Sequence, residues 1–162
     1  MKEKFVWAGV IVVVVVTVVT FALIQFGVHV STPSISPAPV VSALPSSIMV
    51  LDGTTLQVDL AITPDQQEKG LGTRSGLAAD HGMLFIFPQD GHYEFWMKDM
   101  NFSIDIIWLD HNGKVIDVVP DLSPKTFPQA FGPKGLSRFV LEVPAGFAAA
   151  HHVQIGDVAQ LP

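Results

Sequence analysis

Residues 5–28, FVWAGVIVVVVVTVVTFALIQFGV, carry no charged side chain, and no other feature limits this chain so strongly. As a helix the run would be about 35 Å long, against a hydrocarbon core of about 30 Å. A valine-rich strand is the competing form, but strands usually stop after about 4 to 8 residues. Here no turn residue intervenes between Gly9 and Gly27. A helix also satisfies all its own backbone hydrogen bonds in lipid, which a lone strand does not. The run therefore predicts a transmembrane helix. Lys2 and Lys4 precede it and no lysine or arginine follows until Lys69, which places the N-terminus in the cytoplasm and the rest outside. Cleavage at Val41-Ser42-Ala43 would release the remainder, but that site lies far beyond the apolar end, so an uncleaved anchor is favoured.

The organisation that follows is a cytoplasmic stub at 1–4, a signal anchor at 5–28, a proline- and serine-rich linker at 29–47 and an extracytoplasmic domain at 48–162. The linker composition favours extended, solvated chain. The domain is long enough for one independent core. It carries seven basic and fourteen acidic residues, the opposite of the basic footprint that nucleic acid requires. The chain has no cysteine, which excludes disulfides, thiolate metal sites and thiol nucleophiles.

Short apolar runs between turn residues predict a mainly β domain, an antiparallel sandwich or partly open barrel with two short helices. Strands at 48–51 and 55–61 flank an Asp52-Gly53 hairpin turn, and those at 104–109 and 114–119 flank Asn112-Gly113. Thr63, Pro64 and Gln66 match a capped helix start. Strands are expected at 83–87, 92–98, 138–143 and 158–161, a turn at 88–91, a loop with four prolines at 120–133 and a helix within 144–152.

Several motifs in order, TPDQQEKGLGTRSGL, GMLFIF, FWMKDMNFSIDIIWLD with NGKVIDV, and RFVLEVPAGFAAAHHVQIGD, resemble the family catalogued as domain of unknown function 192, across about residues 55–158. The resemblance implies a compact β-rich domain, frequently behind a signal or anchor segment, and implies no activity or catalytic residue. Asp99-Met100, Ser103 and His152 stand where the family often has asparagine-threonine, proline and glycine.

The residues themselves suggest a site. Alternation through 92–98 puts His92, Glu94, Trp96 and Lys98 on one face and Tyr93, Phe95 and Met97 on the other. The first face offers an indole, a carboxylate and an ammonium to a ligand, or it is a plain solvated strand face. Asp105 lies inside the apolar run Ile104, Ile106, Ile107, Trp108, and a carboxylate there needs arginine, lysine or backbone donors. Arg74 and Lys98 are the side-chain candidates. The candidate ligand-binding set is thus Arg74, His92, Glu94, Trp96, Lys98 and Asp105.

Other chemistries have weaker support. His92 and Glu94 find no third metal ligand by spacing, and adjacent His151 and His152 on a helix diverge, so no metal or other cofactor is expected. There is no G-x-S-x-G elbow, and the GLGTRSG stretch lacks the lysine-serine pair of a phosphate loop. The leading expectation is a non-catalytic, membrane-tethered module for a small molecule, surface polymer or envelope protein, with no nucleic-acid partner. One alternative is a hydrolase or isomerase using carboxylates such as Glu94 or Asp105. Another is a structural role in which Trp96 and Trp108 anchor an interface.

Overall fold

The structure, a computed structural model, describes residues 44–162. The predicted membrane helix at 5–28, its cytoplasmic stub and the linker up to residue 43 lie outside the described residues. Among the described residues no helix is long and apolar enough to cross a membrane.

Both turn signals form hairpins. Strands β1 (Ser46–Leu51) and β2 (Thr54–Ala61) pair antiparallel around Asp52 and Gly53, whose φ angles of 46° and 74° suit such a tight turn. The first strand begins two residues before the expected domain start. Helix α1 (Pro64–Lys69) has the full capping box: the Thr63 hydroxyl accepts from the Gln66 backbone at 3.3 Å, and Gln66 Oε1 accepts from the Thr63 N–H at 2.9 Å. The helix stops at Gly70, which adopts a positive φ.

The connection through α1 leads to β3 (His81–Gly91), which lies parallel to β2. That corrects the all-antiparallel expectation: a long connection with a helix is what a parallel pair requires. The expected turn at 88–91 is instead the irregular end of β3, where the register with its neighbour shifts between Ile86 and Gly91. Next come β4 (Phe95–Trp96), β5 (Ile104–Leu109), β6 (Val115–Leu122), a 3-10 turn (Pro124–Thr126), β7 (Ala130–Phe131), β8 (Ser137–Pro144) and helix α2 (Phe147–Ala150). The sequence suggested a longer strand at 92–98, but only its centre pairs, with β7. The expected proline loop at 120–133 likewise contains the end of β6 and all of β7.

The main sheet is open and six-stranded, ordered β1-β2-β3-β8-β5-β6, with β4 and β7 forming a separate ribbon. The predicted strand at 158–161 exists only as isolated bridges, Val50 to Gln160 and Lys114 to Val158. Through them the C-terminal segment ties the free edge of β1 to the start of β6.

Both faces of the sheet are covered. One packs Leu56, Val58, Leu84, Ile107 and Leu141 under Phe147 of α2; the other packs Met83, Phe85, Ile106, Trp108 and Val140 under Leu71 and Met97. All six residues of β5 are buried. A strand buried on both sides has no solvent face for polar residues, so an acid in it must find partners inside.

Candidate functional site

Two acids lie in the buried central strands, on opposite faces. Asp105 belongs to β5 and faces α2, where it accepts backbone hydrogen bonds from Ala148 at 2.8 Å, Gly146 at 3.0 Å and Asp121 at 2.7 Å. It holds the first turn of α2 and the end of β6 to the sheet. The expected partners are therefore wrong for this residue, since Arg74 pairs with Asp59 at 2.8 Å and Lys98 Nζ stands 5.9 Å from the centre of the Trp96 ring. Arg74, Lys98 and Asp105 do not converge. With its oxygens occupied by backbone donors, Asp105 is structural.

Glu142 is the other acid. It sits mid-strand in β8, between Met83 of β3 and Ile106 of β5, and is 5% exposed. Its Oε2 is buried with no hydrogen-bond partner. Burial pushes its carboxyl from the ordinary 4.5 up to about 8, against a smaller opposite pull from the Arg74 charge. Glu142 is thus mostly protonated at neutral pH. Sequence reading missed it, although Phe139, Val140, Leu141 and Val143 surround it with the signal that singled out Asp105.

Glu142 lines a cleft of about 320 Å³. One wall is aromatic: Phe85, Phe87, Tyr93, Phe95 and Trp96. Phe85 and Phe95 meet edge to face at 4.8 Å, and Phe87 stacks on Tyr93 at 3.5 Å. The wall is held by the Tyr93 carbonyl, which accepts from the buried Trp108 indole N–H at 2.8 Å. The rest of the lining includes the end of α1 and the chain after it, with Glu68, Lys69 and Leu71, while Glu94 and Lys98 also border the space. Charges at this border are two of each sign.

The covering loops hold each other. Thr73 donates its backbone N–H to the Asp99 carbonyl at 2.8 Å, and Asn101 Nδ2 donates to the Arg74 carbonyl at 2.9 Å. Gly72 permits the tight turn after α1: a Cβ there would meet the Lys69 carbonyl oxygen at 2.9 Å.

The alternation expected across 92–98 is present, with His92, Glu94, Trp96 and Lys98 exposed and Tyr93, Phe95 and Met97 turned inward to differing depths. Of the six candidate residues the cleft gathers Glu94, Trp96 and Lys98; Arg74, His92 and Asp105 are not part of its lining. Trp108 is fully buried and cannot anchor an interface, whereas Trp96 is 51% exposed and meets Phe127 edge to face at 5.8 Å. No group of three or more potential metal ligands is found among the described residues.

A mixed sheet with a small cleft on one face defines a β-rich domain whose site is built from one strand centre and the loops over it. The family model for DUF192, described as uncharacterized ACR, matches residues 48–161, and the chain belongs to that family. A UPF0127 protein of Thermococcus gammatolerans is 30% identical over 109 residues, covering 62% of this chain and 63% of that protein's own length. Two solved structures share the fold. One is from Sinorhizobium meliloti, described as a candidate transcription regulator, with TM-score 0.69, 28% identity, and coverage of 73% of this chain and 95% of that one. The other, a Novosphingobium aromaticivorans protein of unknown function, has TM-score 0.70, 27% identity, and coverage of 76% and 90%.

Proposed function

We propose that this chain is a membrane-tethered, extracytoplasmic module that binds a small ligand in the Glu142 cleft without transforming it. The observation that carries the reading is the unpartnered, buried Glu142 oxygen at the edge of an aromatic-walled space. A carboxyl buried without a partner costs free energy, and a ligand that supplies the missing hydrogen bond or charge recovers it. Cleft size and apolar lining suit a compact organic molecule rather than a polymer chain. The uncharged run at 5–28, with Lys2 and Lys4 before it, supports the tether and its orientation.

Regulation of transcription by direct DNA contact, suggested by the description of the Sinorhizobium relative, is opposed by the excess of acids in residues 48–162. A screen of a small-molecule library by ligand-observed NMR tests the binding reading. Saturable binders lost on Phe95→Ala with the fold intact support it; a screen without binders, or binders indifferent to that change, removes it. Protease added to intact cells tests the orientation, and a domain that stays protected until lysis contradicts it.

A catalytic reading has one specific observation behind it. A carboxyl protonated at neutral pH is the state a general acid needs, and Glu94 borders the same cleft. Glu142 and Glu94 would replace the pair in which Asp105 was expected. Turnover of any screened ester, glycoside or amide that disappears in Glu142→Gln would establish it.

A further inference from the structure

Resting on the ligand-cleft reading, we propose that the cleft takes an organic cation, whose charged nitrogen sits between the Glu142 carboxylate and the aromatic wall. Three observations carry this. First, Glu142 is a carboxyl with no protein cation of its own: the Arg74 guanidinium is bound to Asp59 at 2.8 Å, and Lys98 lies over Trp96. A site built only for a neutral hydrogen bond is served as well by an amide; a carboxylate differs by its charge. Second, the cleft that Glu142 lines is rich in aromatic side chains, Phe85, Phe87, Tyr93, Phe95 and Trp96, and aromatic rings attract cations most strongly when water is excluded. Lys98 above Trp96 shows the outer part of that wall already accepting an ammonium. Third, a metal ion is disfavoured, because no set of three ligating side chains comes together among the described residues.

The charges around Glu142 set the pH behaviour. Its strand neighbours Met83 and Ile106 are apolar, and Asp59 stands on the same face one strand beyond Met83. Arg74 pulls its titration downward, the four charged border residues balance, and Tyr93 donates its hydroxyl to the Gln89 carbonyl. A cation entering the cleft therefore expels a proton from Glu142 over the range in which that group is protonated. Affinity for a permanently charged ligand rises about tenfold per pH unit between about pH 5.5 and 7.5 and levels off above about 8.

Choline and its uncharged isostere 3,3-dimethyl-1-butanol test this directly. Each is titrated into the 162-residue chain while the NMR signals of the Trp96 indole and the Met100 methyl, both bordering the cleft, are followed. The expected result is saturable choline binding with the stated pH dependence, at least tenfold tighter at pH 8 than binding of the alcohol. Glu142→Gln should remove the pH dependence and weaken choline alone. Equal binding of both probes, or choline affinity independent of pH, overturns the cation assignment and leaves the cleft as a ligand site. Absence of choline binding at every pH also overturns it; the library screen then decides separately whether the cleft binds anything. Should Glu142→Gln fail to fold, the pH profile of the unaltered chain still decides.

Discussion

Asp105 and Glu142 are one problem solved in two ways. Both are buried acids in strands covered on both sides, with two strands between them in chain order but neighbours in the sheet. Asp105 faces α2 and accepts from three backbone N–H groups. Glu142 faces the loops after α1 and β4, and its Oε2 meets none. The first arrangement is complete and stabilising. The second leaves one carboxyl oxygen unpaired beside a cleft, which is the basis of the proposed ligand site. Burial alone therefore does not separate the two acids; the satisfaction of their oxygens does.

The largest effect should come from breaking the complete side. Asp105→Ala removes the shared acceptor of three backbone N–H groups, of which that of Ala148 is buried, and should lower unfolding free energy by roughly 2–4 kcal/mol, measured by urea denaturation at pH 7. A loss below about 1 kcal/mol would mean that those donors find water, and the contrast would fail.

On the incomplete side the effect depends on pH. The folded carboxyl holds its proton up to about 8, whereas the unfolded one releases it near 4.5. The stability it contributes is thus fully present below the lower value and is lost as pH rises through the upper one. The slope is about 1.4 kcal/mol per pH unit in that window. Glu142→Gln should remove this slope, so that the variant gains on the parent protein from pH 5 to pH 8. Parallel stability curves for the two proteins would contradict the unpaired state.

Arg74 sharpens the comparison with a smaller change. Arg74→Met removes a half-exposed ion pair with Asp59, worth up to about 1 kcal/mol, together with the one charge that opposes the rise at Glu142. The Glu142 titration should move further upward, read from its side-chain carboxyl signal. Smaller again is Gly146→Ala beside Asp105: its φ of 85° strains a side chain though nothing crowds the Cβ, and a cost of about 1 kcal/mol is expected by denaturation.

Much of this was legible in local chemistry. Asp52-Gly53 and Asn112-Gly113 formed the expected turns, and Thr63 with Gln66 started a helix, because each signal acts within a few residues. The Asp105 run correctly demanded an internal partner. The partner itself was not legible, since Gly146 and Ala148 are some forty residues away and offer only backbone. The parallel β2–β3 pair and the bridging C-terminus depend on where distant edges fall, which periodicity does not encode. At the site, alternation placed Glu94, Trp96 and Lys98 on the exposed face. His92 shares their parity but lies outside the cleft, because the strand it was assigned to pairs only at Phe95 and Trp96. Glu142 carried the same signal as Asp105 and would have been found by applying that rule to every apolar run.

The most direct test is a pH titration of the Glu142 side-chain carboxyl by carbon-13 NMR in the ligand-free chain. A midpoint near 8 is the result expected of a buried, unpartnered acid. A midpoint near 4.5 would show a solvated or paired carboxylate, and the cleft would lose the feature that makes it a site.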